Sequence, residues 1–497
     1  MKYVPFITEF SPPLLLPALI TLLLSGCTVG PDYKQPHSVS PTNWSEWRSG
    51  DPSLHMPVST DKLSSADWWK SYNDPVLNRL VTRALAASPD LQTAALHFSS
   101  AQAQAGVTKS QLAPQINGSG QMTREQSSEN GASTRVIRLL TPEPDEYVGL
   151  LASPYTSYQA GVNASWEIDF WGHVRRAVEA AKADTEAQRA MLELAKLSIV
   201  SDVVTQYYTL RDIQQQINLM QDDQRAIEER LHLISAMTRG GEMDYTSQAR
   251  QQADLSATQA RVTGLRQQEA AAMNQILLLL GEHPGALQAE LKPQPTGLNP
   301  GTLPELATGL PSDIARNRPD VQAAEAKLHA ATARISVAKA ELYPSVTLNG
   351  RLGLDTYSSS EFSDWASRTW SVGPSLNLPL FDYGRRKSTV VLRELDQQQA
   401  AVDFHKTVLK AWQEIDDALS RYSAAQQTLQ QRTQQAASAA QAYALIDARY
   451  RGGMTDFINV LDSQRSNIQA RVSLANAQSE VMKAFAAVNR ATGNVPE

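Results

Sequence analysis

The chain has 497 residues and a formal net charge of -6, a balance that gives no reason to expect a nucleic-acid partner. That length would ordinarily suggest several globular domains, but Ala and Gln are abundant, aromatics make up only 7% of residues, and long stretches carry helical periodicity, as in elongated helical proteins. A single cysteine excludes an intrachain disulfide, and past the first two dozen residues no apolar run is long enough for a membrane-spanning helix.

Lys2 gives a positive start, Pro12 to Leu24 forms a short apolar core, and Leu24-Ser25-Gly26-Cys27 follows. This resembles a bacterial lipobox, with a signal peptide over 1–26 and a mature chain that begins at a lipidated Cys27. The alternative is a small-residue cleavage site with an incidental cysteine. Thr28 stands after Cys27 where an Asp would signal retention, so the lipoprotein reading implies sorting to the outer membrane. Residues 27–66, rich in Pro, Ser and Asp, read as an N-terminal lipidated tether.

A first repeat spans 67–281. Asp67-Trp68-Trp69-Lys70 opens a short helical region that continues through Leu77, Leu80, Val81 and Leu85, and Pro89 starts a helix to about Leu112. Two strands are predicted next. In the first, Ile116, Gly118, Gly120 and Met122 alternate with Asn117, Ser119, Gln121 and Thr123. In the second, Val162, Ala164, Trp166 and Ile168 alternate with Asn163, Ser165, Glu167 and Asp169. The polar segment between them, with Gly131, Pro142, Pro144 and Pro154, reads as an inserted loop. From Val174 to Arg239 apolar residues recur at spacings of three, four and seven, the pattern of a long supercoiled helix. Arg239-Gly240-Gly241-Glu242-Met243-Asp244-Tyr245 then reverses the chain, two adjacent glycines being free to take positive φ, and a helix returns to Leu280.

A connector over 282–312 carries several prolines, and Ser312 or Asp313 can cap a short helix after it. The second repeat, 313–497, goes through the same order. Val346, Leu348, Leu352 and Leu354 mark one strand, and Trp370, Val372, Leu376, Leu378 and Leu380 the other. Ile415, Tyr422, Leu429, Ala436, Tyr443 and Tyr450 stand every seventh residue on a helix from about Arg386 to Arg451. Gly452 and Gly453 form its turn, and a helix returns to Thr492. Gly172 with Gly384, Gly240 with Gly452, Asp244 with Asp456 and Gly281 with Gly493 share one constant shift. Pro89 with Pro319 and Pro114 with Pro344 share a second. The chain is therefore two similar halves with one insertion between Pro114 and Gly172.

Each strand is about as long as a transmembrane β-strand, 9–11 residues, and the apolar/polar alternation suits an outer-membrane barrel; a small soluble sheet is the alternative. Four strands cannot close, and open edges are not tolerated in lipid, so other copies of the chain would have to complete the barrel. Two copies give about eight strands with a filled interior, and three give about twelve, which could leave a conduit. Helices of roughly 100 Å would continue it as a tube across the periplasm, or else form a two-stranded rod.

Taken together, Gly26-Cys27 with Gly30-Pro31-Asp32-Tyr33, Trp68-Trp69 with Asp74-Pro75, Leu310-Pro311-Ser312-Asp313 with Arg318-Pro319-Asp320, Pro379-Leu380-Phe381-Asp382 with Gly384, and the two glycine turns resemble a TolC-like outer-membrane factor of the NodT-type lipoprotein branch. The resemblance implies a mostly α fold with membrane β. It would be a homotrimer with a twelve-stranded outer-membrane barrel, continued by a periplasmic α-helical coiled-coil barrel. It implies a periplasmic adaptor and an inner-membrane pump as partners, passive exit of drugs or toxic compounds, and no cofactor beyond N-palmitoyl and S-diacylglycerol groups on Cys27. An exit duct for type I protein secretion, or a pore-less coiled-coil scaffold, are the alternatives. No catalytic motif stands in the sequence. Near the second turn, Tyr450, Asp462 and Arg465 match positions that close the periplasmic mouth in relatives, with Asp456, Ile458 and Leu461 beside them. Asp462 and Arg465, three residues apart, share a helix face. Some relatives carry an acidic residue where this chain has Asn459.

Overall fold

The computed structural model describes residues 28–36, 48–55, 66–140, 144–293 and 317–496. The signal segment, Cys27 and the Ser312 and Asp313 cap lie outside them. The chain divides into two units: the described parts of Met1–Lys34, Ala101–Asp184 and Leu328–Ala400, and those of Gln35–Ser100, Thr185–Lys327 and Ala401–Glu497.

In the first unit, the alternating stretches form one antiparallel sheet of β1 (Gln115–Glu125), β2 (Tyr155–Ile168), β3 (Ser345–Thr356) and β4 (Arg368–Asn377), in that order. Gln115 lies opposite Ser165, Tyr158 opposite Thr356, and Ser345 opposite Asn377. The register tests the repeat. Twin positions are 230 apart on the early side (Pro89 to Pro319) and 212 apart on the later side (Gly172 to Gly384). Adding 230 on β1 and 212 on β2 turns the Gln115–Ser165 pair into Ser345–Asn377, the pair observed. The two hairpins are thus one hairpin used twice, residue for residue.

Two expectations for this unit are corrected. The insertion is not a plain loop: it holds two helices, α3 (Ala132–Leu140) and α4 (Pro144–Ala152). At nine residues each they are too short for periodicity to outweigh the surrounding Gly and Pro. Thr134 steadies the start of α3 through the carbonyl of Gly131, 2.9 Å away. The second correction is that β4 ends at Asn377, although the alternation runs on to Leu380. Unlike β2, β4 has a neighbour on one side only.

Residues 28–34 are built into this unit. The Val29 amide donates to the carbonyl of Trp171 at 3.1 Å, and Thr28 abuts Gly172, where the second strand gives way to the long helix. Gly30 has φ +106, and a Cβ there would fall 2.7 Å from the Cα of Ser336, so only glycine permits the approach. Asp32 pairs with Arg176, and the Tyr33 ring stacks on His329 at 4.3 Å. Gly30-Pro31-Asp32-Tyr33 is therefore a docking segment.

The second unit holds α1 (Pro75–Ala87) and most of the long-helix length. Asp67 to Leu85 does not form one helical region: a 3-10 turn covers Trp68–Tyr72, and Asn73 at φ 52 breaks the chain before α1. Asp74 caps α1 by accepting from the amides of Val76 (2.8 Å) and Leu77 (3.2 Å), with Pro75 at the first helical position. The same carboxylate accepts from the Tyr207 hydroxyl. Trp68, Leu77, Leu80, Tyr207, Tyr422 and Phe485 form the core here.

The remaining helices are α2 (Pro89–Ser110), α5 (His173–Arg239), α6 (Tyr245–Leu280), α7 (Pro319–Ala340), α8 (Arg385–Arg451) and α9 (Phe457–Ala491). At 67 residues each, α5 and α8 are roughly 100 Å long. Gly281 (φ +70) and Gly493 (φ +74), twins by the later shift, end α6 and α9 against the starts of α2 and α7 respectively. Arg318 lies buried beside Gly493, donating to Asp320 at 2.7 Å and to the Ala491 carbonyl at 2.6 Å.

Candidate functional site

The register pairs even-numbered residues with even-numbered ones across all four strands. Period-two alternation then gives the sheet one mainly apolar and one mainly polar face, with Arg124, Thr156, Thr356 and Arg368 as polar even-numbered residues at the strand ends. The even face carries Ile116, Met122, Val162, Trp166, Leu348, Leu352, Trp370, Val372 and Leu376, all exposed. The odd face carries Asn, Gln, Ser and Thr, with Arg351 and Asp355. Its side chains bond across the strands: Asn163 donates to Ser119 at 3.0 Å, Ser165 to Asn349 at 3.1 Å, and Arg351 to Gln159 at 3.3 Å. An apolar sheet face of this extent left in water would be a liability. In lipid it is the expected outer surface of a barrel wall.

The two turns are also copies. The Glu242 amide donates to the Met237 carbonyl at 2.9 Å, and its twin Met454 donates to Arg449 at 2.9 Å. This six-to-one bond closes a helix end when the residue before it is left-handed. Only the second glycine of each pair takes that conformation, Gly241 at φ 76 and Gly453 at φ 70. Gly240 and Gly452 continue the helical turn, so of the two glycines free to take positive φ one in each turn does so.

The turns lie side by side. Arg230, eleven residues before Gly241, donates to the hydroxyl of Tyr443, ten before Gly453. Arg465, twelve residues past Gly453, pairs with Asp254, thirteen past Gly241. One residue earlier, Gln464 donates to Asp223 at 2.5 Å. Burial pushes the Asp223 carboxyl above the usual range, and the Gln464 bond opposes that. Asp223, Gln251, Asp254, Arg261, Gln464 and Arg465 border a cleft of ≈ 460 Å³ between α5, α6 and α9.

A protein-family comparison matches residues 80–282 and 310–494 to the family described as outer membrane efflux protein. The chain belongs to that family. Nodulation protein T of Rhizobium leguminosarum bv. trifolii is 28% identical over 476 residues, which cover 95% of this chain and 96% of that protein. The pyoverdine export outer membrane protein OpmQ of Pseudomonas putida is 29% identical over 434 residues, 87% of this chain and 88% of OpmQ. The outer-membrane channel OprN shares the fold at a TM-score of 0.82 and 29% identity, over 94% of this chain and 99% of that one. The NodT-type resemblance and the expected strand-and-long-helix fold are thus both found.

This outer membrane efflux protein is a channel protein; in a barrel wall the apolar even face is the one expected to meet lipid and the polar odd face the one expected to line the passage. The residues singled out near the second turn are brought to one end of the second unit, but not all to one another. Tyr450 rests on Phe457 of its own hairpin, ring centroids 5.5 Å apart. Asp456 stands at the start of α9 without a side-chain cap bond, and Ile458 is exposed. Leu461 borders the cleft. Arg465 reaches Asp254, and Asp462, exposed, has no ion pair among the described residues. Asp254, Asp223 and Gln251 were not singled out from sequence. A signal for Asp254 was there: its distance from Gly241 nearly equals that of Arg465 from Gly453.

Proposed function

We propose that the protein is the lipid-anchored, homotrimeric outer-membrane duct of a tripartite efflux system. It receives small molecules from an inner-membrane pump through a periplasmic adaptor and releases them outside. The observation that carries this reading is the four-stranded sheet with one mainly apolar and one mainly polar face and, among the described residues, two unpaired outer edges. In lipid those edges need partners, and three copies give a twelve-stranded wall with room for a conduit. The helices of roughly 100 Å then form the periplasmic tube. The protein is a passive conduit, so no catalytic step is assigned to it. Export of a small molecule by OpmQ favours small cargo over protein secretion.

The anchor reading rests on residues 28–30. They are pinned at the end of β2 and the start of α5, at the margin of the sheet. Signal cleavage before Cys27 and acylation of its sulfur and amine follow from the sequence pattern. Cys27→Ser would impair sorting more than transport, since the barrel itself holds the protein.

For the mouth, threefold copies of Asp462 and Arg465 hold the resting end shut, with Tyr450 stiffening the hairpin. Adaptor binding biases a two-state opening of the second hairpin. Native mass measurement in detergent tests the core of this reading, with three acylated chains expected. A stable single chain with an intact β spectrum would contradict it.

A further inference from the structure

The polar exceptions on the even face all stand at one end of the sheet. β1 and β3 are entered from α2 and α7, and β2 and β4 lead into α5 and α8, so Gln115, Ile168, Ser345 and Asn377 mark the end joined to the helices. There the even face stays apolar to its edge, with Ile116, Ile168, Val346 and Leu376. At the far end it closes on Arg124, Thr156, Thr356 and Arg368, and none of its residues on the four strands is acidic. Both arginines are exposed, and neither has an ion pair among the described residues. Arg124 donates to the Thr156 hydroxyl at 3.4 Å. Arg368 lies over the Trp365 ring, 4.1 Å from its centroid, and donates to the Trp365 carbonyl at 2.9 Å, two contacts that hold its guanidinium in place.

The spacing sets their height. Arg124 stands eight residues past Ile116, and Leu376 eight past Arg368. Eight residues span about 27 Å along a strand, or roughly 21 Å across a bilayer at a barrel tilt of about 40°, close to the ~25 Å height of an outer-membrane apolar band. The two arginines therefore stand where acyl chains would give way to headgroups. The insertion springs from the same end. On α3, Arg135 and Arg138 stand among the exposed Val136, Leu139 and Leu140, with Arg138 3.6 Å from Asp145 of α4. A helix that exposes aliphatic and basic side chains together suits the plane of a membrane interface.

We propose that the arginine-bearing end of the even face is a binding surface for the phosphate groups of outer-leaflet lipids. The proposal rests on the outer-membrane barrel reading, in which the helices are periplasmic and the far end of the sheet faces outside, and adds to it a lipid partner and the residues that hold it. A guanidinium presents a planar fork that matches phosphate oxygens two at a time. Arg124 and Arg368 supply the forks, the aliphatic residues of the even face take the acyl chains, and α3 adds further positive charge at the same end. With no carboxylate on this face of the strands, the lipid phosphate is the counter-charge. The end joined to the helices has no such cations, so the two leaflets are told apart by charge.

Lipid retention by the full-length protein in mild detergent, read by native mass, tests this. The probes are diphosphoryl lipid A, the same lipid with its phosphates removed, and inorganic phosphate. The parent oligomer should retain the phosphorylated lipid at least about tenfold more than the stripped one. Arg124→Gln with Arg368→Gln should remove most of that difference. Arg351→Gln takes the same charge from the polar face and should leave the difference unchanged. Inorganic phosphate in large excess should not displace the lipid, because it lacks the acyl chains that the apolar face holds. Displacement by inorganic phosphate would make this a free-anion site and overturn the lipid assignment. Equal retention of the two lipids by an intact parent oligomer overturns the proposal, whether or not the double variant assembles. So does a loss with Arg351→Gln as large as that with the paired change. A parent protein that purifies as a single chain overturns the barrel reading instead.

Discussion

Arg351 and Leu352 are adjacent in β3, yet the fold gives an arginine at these two positions opposite consequences. Arg351 points to the polar face, where it donates to Gln159 at 3.3 Å. Leu352 points to the apolar face at mid-strand, between Val162 and Trp370, and is 64% exposed. If that face meets lipid, Leu352→Arg sets a guanidinium near the bilayer midplane, at about 2–4 kcal/mol per copy. In a threefold assembly this becomes roughly 6–12 kcal/mol, which exceeds or matches the stability of many folded domains. Asn349→Arg, on the polar face three residues away, carries no such cost and adds a positive charge to the passage. The assay is outer-membrane assembly in cells, followed as heat-resistant oligomer, with single-channel conductance of whatever assembles. Leu352→Arg should abolish or sharply reduce assembly. Asn349→Arg should assemble as the parent does, with altered ion selectivity. Normal assembly of Leu352→Arg would refute the lipid-facing assignment of the even face, and with it the account of the sheet.

Gly241→Ala should destabilise the first hairpin by about 1–2 kcal/mol, because Gly241 sits at φ 76, whereas Gly240→Ala should be neutral or stabilising by up to about 1 kcal/mol; thermal melts of the two variants would separate them. Asp462→Ala with Arg465→Ala should raise single-channel conductance in planar bilayers, and parental conductance from intact trimers would remove these residues from the gate. Burial raises the carboxyls of Asp202, Asp212 and Asp223 on α5 above the usual range. A raised folded value means the folded state binds the proton more tightly, so stability is gained as pH falls through the raised values towards the unfolded carboxylate value, about 3.9, and is lost as pH rises through them. Amide protection factors on α5, which are corrected for the pH dependence of intrinsic exchange, should therefore rise as pH falls through the raised values, and Asp223→Asn should flatten that dependence.

What was legible in the sequence was what repeats with a physical period. Alternation of two over a dozen residues gave the four strands, heptads over sixty gave α5 and α8, and glycine pairs gave their turns. Alternation failed at the end of β4, because pairing and not side-chain pattern decides where a strand stops. α3 and α4 were hidden because nine residues hold only about two and a half turns of helix, too few for a period to show. Of the candidate site, the turns and Tyr450 were readable from spacing. The partners across helices were not, since Asp254 and Asp223 are separated from Arg465 and Gln464 by more than two hundred residues and belong to no local pattern.

The two hairpins share a backbone but not their fastenings, and the difference bears on which one can move. Asp244 caps α6 by accepting from the Thr246 amide at 3.1 Å, while its twin Asp456 makes no such bond at the start of α9. An N-cap of this kind is worth about 1 kcal/mol, so the second hairpin begins its return helix less firmly fixed. Near the mouth α9 leans on the first hairpin through Gln464 with Asp223 and Arg465 with Asp254. Arg465 is 62% exposed, and a pair so open to solvent contributes at most about 1 kcal/mol. The Gln464 bond is to a carboxyl that burial already disfavours in its charged form. Neither holds α9 strongly, although Gln464 itself is buried. On the proposed function, in which an adaptor opens the mouth, the weaker start of α9 makes the hairpin of α8 and α9 the one expected to move, and an Asp244→Ala variant that loosened the first hairpin to the same degree without changing conductance would support that choice.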